Sequence, residues 1–187
     1  MIPNASTNAD AAAPGVLTIG HSNVSIEAFL DLLRPHGVEA LVDARSQPYS
    51  KFTPHFSREN LERAVRRAGM TYVFLGDALG GRPPADQCPA CYDADGNALY
   101  ERIEEQPFYR RGIDRLREWI GRARVCVMCG EEDPARCHRR LLVGRTLIAA
   151  GIDVRHVRGD GSIETEREVE ERFLRENPKA RQLGFSF

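Results

Sequence analysis

Residues 125–142 read VCVMCGEEDPARCHRRLL. An apolar run stops at Cys129, a polar loop follows, and Cys137, His138, Arg139 and Arg140 open a second apolar-periodic segment. That is the pattern of a strand handing over to a helix. A thiol placed there faces a helix N-terminus and several arginines, and both favour the thiolate. Cys129 is therefore a candidate nucleophile. Arg136, Arg139 and Arg140 could hold an anionic substrate, helped by free backbone N–H groups. Glu131, with Asp43 and His21 from earlier in the chain, would supply acid/base or orienting groups.

Two other chemistries use the same residues. Cys88-Pro-Ala-Cys91 has the half-site spacing of a zinc knuckle. Its second half would come from Cys129, Cys137 or His138, and the closed site would be structural. Cys126 alternates with Cys129 along the strand and reads as core, because a free cysteine packs as a small hydrophobe. Alternatively the pocket binds without reacting. Glu131 and Asp43 would orient a base or ribose, and the arginines would hold phosphate. Tyr49, Phe52 and Phe56 lie among basic side chains and suit stacking on a base. Their ordinary reading is that they bury the loop against the body.

The elements that must position these groups are short. Apolar runs at residues 16–20, 40–44, 71–75, 125–129 and 153–157 read as strands. The segments between them carry helical stripes. Ser25 can cap a helix whose Ile26, Phe29, Leu30 and Leu33 share one face. Ser57 opens a second, with Leu61, Ala64, Val65 and Ala68. Residues 108–123 and 137–151 give two more, and residues 165–176 a charged one. Residues 76–100 read as a long irregular loop, of the kind that is functional or disordered. Strand and helix alternate five times. This predicts one three-layer α/β domain over residues 15–161, with a mainly parallel sheet of about five strands flanked by helices. Residues 1–14 read as a disordered leader, and residues 162–187 as a C-terminal helix and tail.

In such a sheet, ligands bind beyond the carboxyl ends of the strands. Those ends carry Gly20-His21-Ser22, Asp43-Ala44-Arg45, the Gly80-Gly81-Arg82 segment and Cys129-Gly130-Glu131. The expected crevice is lined by His21, Ser22, Asp43, Arg45, Gly80, Gly81, Cys129, Glu131, Cys137, His138 and Arg139. Asp43 and Arg45 could instead be a structural ion pair. His156 lies inside a strand and reads at least as well as a satisfied core histidine.

Composition is neutral about partners. The net charge is −1, so no global field favours nucleic acid or membrane. Of 26 basic residues only Lys51 and Lys179 are lysines. Codon bias in a GC-rich genome explains the arginines, and anion recognition is the functional reading. No run approaches a membrane span, and the first residues lack a basic n-region and an apolar h-region. The chain is placed in the cytoplasm with its thiols reduced.

The motifs TIGHS, LVDARSQPYSKF, YVFLGDALGGRP, YERI…PFYRRGIDRL, VMCGEEDPARCHRRLL and VRHVRGDG together resemble the family known as domain of unknown function 488, over about residues 17–161. The resemblance implies an α/β fold and a site built from these polar motifs. It supplies no reaction, although some members carry the label "DNA repair protein". More loosely, a strand ending in Asp-x-Arg and a later strand-Cys-loop-Arg-helix look like rhodanese and cysteine-phosphatase loops. Here the spacing from Cys129 to Arg136 is one residue longer, and the loop carries Glu131, Glu132 and Asp133. The C-terminal RQLGFSF looks like peptides that dock on bacterial sliding clamps, with Gln182, Leu183 and Phe185 in the matching roles, or else it docks on its own domain.

The expectation is a small enzyme acting on an anionic, phosphate- or nucleotide-like substrate, with Cys129 central. The alternatives are a nucleotide- or DNA-binding module in DNA metabolism and a structural zinc protein.

Overall fold

The computed structural model describes residues 15–49 and 51–179. The leader and the tail residues Gln182, Leu183 and Phe185 lie outside the described residues. Six strands form one sheet: β1 (Gly15–Gly20), β2 (Ala40–Asp43), β3 (Thr71–Phe74), β4 (Val125–Cys129), β5 (Asp153–Val157) and β6 (Ile163–Thr165). Their order is β3-β2-β4-β1-β5-β6. The first five are parallel, and β6 pairs antiparallel with β5. β4 lies between β2 and β1, and all five of its residues are buried, as its unbroken apolar run requires of a central strand.

Helices cover both faces. α1 (Ile26–Leu33) and α2 (Arg58–Arg67) bury Phe29, Leu33, Leu61 and Val65 against Leu17, Ile19, Leu41, Cys126 and Met128. The Ser25 hydroxyl caps α1 by accepting from the Ala28 N–H at 3.2 Å, as its position predicts. The other face carries α3 (Gly76–Leu79), α4 (Tyr100–Glu104), α5 (Pro107–Ile120), a π-helical segment (Arg139–Gly144) and α6 (Arg145–Ala149). These pack on Val16, Val42, Val73, Val125, Val127 and Val154. Connections after β1 and β2 therefore cross one face, and those after β3 and β4 cross the other. The loops leaving β4 and its two neighbours part in opposite directions, which opens a crevice at the end of β4.

Two departures from the sequence reading lie beyond β3. Residues 76–100 are ordered, held by α3, α4, a 3-10 turn at Pro89–Cys91 and a bridge between Tyr92 and Ala98. Within that turn Cys88 and Cys91 are joined by a disulfide. The turn brings their Cα atoms to 5.4 Å, so each thiol's partner is the other rather than a shared metal. The reduced-thiol expectation fails for this pair. Secondly, the segment beyond residue 161 adds β6 to the sheet edge before α7 (Glu166–Glu176) begins. Thr165 and Glu168 close a capping box on α7. The charged "SIET" sequence hides a three-residue edge strand, because a strand that short has no room to show an alternation.

α7 docks through ions. Arg172 pairs with Glu164 and Asp133, and Arg158 pairs with Glu132 and Glu164. Arg140 pairs with Glu166 at 2.6 Å. Thr18, His156 and Glu166 form a hydrogen-bonded chain at 2.8 and 3.1 Å, with Thr18 and His156 buried. His156 is thus a satisfied core histidine. This network also grips the loop that follows β4. Among the described residues no helix is long and apolar enough to cross a membrane.

Candidate functional site

Cys129 ends β4, and the backbone holds it on both sides. Its carbonyl accepts from the His21 N–H, and the preceding Met128 carbonyl accepts from the Ala44 N–H. The chain then runs through Gly130 to Asp133, whose carboxylate caps the 3-10 turn Pro134–Arg136. That turn delivers Cys137 and His138 back towards Cys129. Glycine makes the close passages possible. A Cβ on Gly20 would lie 1.8 Å from the Glu131 carbonyl oxygen, and one on Gly81 would lie 2.6 Å from the His138 Cβ. Neither position has room for a side chain.

The hydrogen bonds decide the state of His138. Its Nε2 lies 2.9 Å from the Ala44 carbonyl oxygen, which can only accept. Nε2 therefore carries a proton, and in the neutral tautomer the lone pair is on Nδ1. Nδ1 faces two sulfurs, Cys129 Sγ at 3.5 Å and Cys137 Sγ at 4.0 Å. The Cys129 thiol is lowered to about 7, chiefly by a hydrogen bond from the Cys137 thiol, against burial, and helped by backbone N–H groups and Arg139. The Cys137 thiol is pushed up to about 12 by donating that bond and by burial. Cys126 lies in the core on the other face, where burial pushes its thiol up and leaves it inert. Among the described residues, Cys129, Cys137 and His138 form a group whose ligand atoms all lie within 4.8 Å of one another.

These groups border a crevice of about 500 Å³, the size of small-molecule sites. Arg45, Arg82 and Arg136 also line it, against the single acid Glu131. Ser46, Gln47, Gly81 and Tyr100 complete the wall. Arg82 stands at this strand edge in the sequence reading without a role, and Ser46, Gln47 and Tyr100 have none assigned there. Ser46 and Gln47 follow Arg45 within the LVDARSQPYSKF motif and Tyr100 opens the YERI motif, and those places were the available signal.

The remaining expected residues sit close by, but in other roles. Asp43 is fully buried, and its carboxylate is saturated. Oδ1 accepts from the Arg45 N–H and Nε, and Oδ2 accepts from Arg45 Nη2 and from the Tyr72 hydroxyl, each of these last two at 2.7 Å. Arg45 in turn donates from Nη1 to His21 Nε2 at 3.2 Å, and His21 donates from Nδ1 to the Ser22 carbonyl. Both ring nitrogens are therefore committed with the ring neutral. Burial, with the Arg45 charge adding to it, lowers His21 to about 4, and the ring stacks on Phe56 at 4.1 Å. The acid/base roles expected of Asp43 and His21 are thus corrected: they orient Arg45 and do not line the crevice.

Ser22 and Gly80 likewise pack instead of lining it. The Ser22 N–H donates to the Gly130 carbonyl, and Gly80 abuts Ser46. Arg139, expected to hold anions, is completely buried. Its guanidinium donates to the carbonyls of Glu131 and Glu132 and to the Thr18 hydroxyl. It clamps the loop from behind, because three acceptors beneath the loop satisfy a fork that no crevice position could reach.

The family described as "Domain of unknown function DUF488" matches residues 25–146 of the chain. No curated protein and no solved structure matches it.

Proposed function

The chain belongs to the DUF488 family, a domain of unknown function, and from the geometry of its crevice we propose that it is a small enzyme whose Cys129 thiolate acts on an anionic, phosphate- or nucleotide-like substrate. One observation carries this reading. Cys129 Sγ lies 3.5 Å from His138 Nδ1, the nitrogen that bears the lone pair of the neutral ring because the Ala44 carbonyl holds a proton on Nε2. His138 takes the thiol proton, and the sulfur attacks the electrophilic centre. The leaving group departs with the bonding electron pair and recovers the proton from His138. Water or a second acceptor then resolves the Cys129 adduct, so the activity is that of a hydrolase or a transferase. Arg45, held in place by Asp43 and His21, shares the substrate's charge with Arg82 and Arg136. We place this chemistry in the cytoplasm, where Cys126, Cys129 and Cys137 stay reduced and the Cys88–Cys91 disulfide is the exception.

Paired alkylating agents test it. Cys129 is expected to label well ahead of Cys126 and Cys137 in metal-free protein. Anionic iodoacetate should outrun neutral iodoacetamide there, relative to their order on free cysteine. Arg82→Ala and Arg136→Ala should each cut that preference roughly two- to fivefold, as for exposed charges. Equally slow labelling of all three thiols, mapped by mass spectrometry, would remove the nucleophile from the reading.

A second reading, a nucleic-acid-binding module, draws on a different observation. Tyr49 and Phe52 are 76% and 90% exposed on the loop that leaves the crevice after Arg45, beside Lys51. Phe56 alone of the three aromatics is buried. Exposed rings next to a cation suit stacking on unpaired bases. Single-stranded DNA should then bind in a salt-sensitive way, weakened by about 1–3 kcal/mol for each ring replaced by alanine and indifferent to Cys129→Ser. Binding unaffected by Tyr49→Ala and Phe52→Ala would count against it. In this reading Gln182, Leu183 and Phe185 would dock on a sliding clamp.

A further inference from the structure

We infer that Cys129, Cys137 and His138 form a three-ligand site for a soft divalent cation of the zinc class, with its fourth position open to the crevice, and that the bound cation masks the Cys129 nucleophile. The masking rests on the thiol reading above. The binding does not.

Distances support the donor set. Zinc bonds of about 2.3 Å to sulfur and 2.0–2.1 Å to nitrogen, at tetrahedral angles, put S and N ligands about 3.6 Å apart. The two S···Nδ1 separations are 3.5 and 4.0 Å, so each sulfur–nitrogen pair would close on a cation with shifts of a few tenths of an ångström. The imidazole is already in the ligating tautomer. Its Nε2–H is spent on the Ala44 carbonyl, the arrangement that orients histidine ligands in metal sites. The frame is firm as well. Cys129 ends the central strand, the Cys137 N–H is held by the Pro134 carbonyl, and Gly81 packs on His138.

Charge also fits. Two thiolates and a neutral imidazole cancel a dication, so the loaded site is neutral beside Arg45, Arg82 and Arg136. All three ligands border the crevice, which leaves one coordination position facing it. The chain's other cysteines are placed elsewhere. Cys126 lies in the core of the opposite face, and Cys88 is bonded to Cys91. A cation held by Cys129 uses the sulfur electrons that an attack would need. One thiol therefore serves two exclusive states.

The test uses the full chain and metal alone. Zinc is titrated against a chromophoric chelator, and cobalt(II) is followed by absorption. The expected result is one ion per chain, with thiolate-to-cobalt charge transfer and the visible bands of a tetrahedral centre. Cys137→Ser and His138→Ala should each weaken binding by more than the roughly 10–100-fold that losing an outer-shell partner costs. Cys126→Ser and the double variant Cys88→Ser/Cys91→Ser should leave it unchanged. Zinc should also protect Cys129 and Cys137 from iodoacetamide. Failure of the wild-type chain to bind one ion, or loss of binding in the Cys88→Ser/Cys91→Ser protein, would overturn the site. The two proposals fail separately. Slow labelling of metal-free Cys129 defeats the thiol enzyme alone, whereas fast labelling that zinc does not slow defeats the masking site.

Discussion

Replacing Asp43 by alanine is expected to destabilise the protein by about 3–5 kcal/mol, the usual cost of removing one partner from a buried ion pair. Asp43 is 0% exposed and Arg45 is 7% exposed. The lost carboxylate accepts from the Arg45 backbone N–H, from two guanidinium nitrogens and from the Tyr72 hydroxyl. Those donors lose their acceptor, and each unmade buried bond carries its own desolvation cost. Asp43→Asn keeps the shape and an acceptor oxygen but not the charge, so its loss should be smaller. Urea unfolding of the three proteins measures both effects. A change below about 1 kcal/mol for Asp43→Ala would mean that Arg45 swings into the crevice and solvates itself. The iodoacetate preference at Cys129 would report that movement independently.

A second large effect is set by pH. His21 is held neutral, its value lowered from 6.5 to about 4 by burial and by the neighbouring Arg45. The folded state refuses a proton that the unfolded chain accepts below 6.5. The stability tied to the neutral ring is therefore intact above pH 6.5 and drains away as pH falls to about 4. At about 1.4 kcal/mol for each pH unit, the whole window removes about 3 kcal/mol. His21→Gln retains an acceptor for Arg45 and a donor for the Ser22 carbonyl, yet cannot titrate in this range. Its stability should fall less steeply between pH 6.5 and 4.5 than that of the parent. His156, also lowered by burial, remains in both proteins and contributes a common slope. Identical pH profiles for the two would show that His21 does not titrate as its surroundings require.

The two effects share a cause. Asp43, Arg45, His21 and Phe56 form one continuous stack of paired groups under the crevice floor. Burial makes the stack sensitive to charge and keeps Arg45 aimed. A residue that looks reactive in sequence has here become part of the support for another residue.

Much of this was legible in the residues alone. The five parallel strands and their flanking helices follow from apolar runs of four to six residues punctuated by glycines and caps. Strand ends that carry His21, Asp43 and Cys129 had to gather along one edge, because parallel strands share their direction. The TIGHS and VMCGEEDPARCHRRLL motifs marked the right loops.

What the pattern of types along the chain does not contain is which way each polar group turns. Arg136 and Arg139 are three residues apart and chemically alike. One lines the crevice, and the other is buried beneath the loop on three oxygen acceptors. Asp43 and Glu131 are both acids at the carboxyl ends of strands, and only Glu131 faces the crevice. Those outcomes depend on donors and acceptors that arrive from distant segments, such as Tyr72, Thr18 and the Ala44 carbonyl, and a buried polar group goes where its bonds can all be made. Sequence determined the layers, the edge and the thiol loop. The strand order β3-β2-β4-β1-β5-β6 set Cys129 between the ends of β1 and β2, and the competition for buried hydrogen bonds left the Nδ1 of His138 facing Cys129 and Cys137.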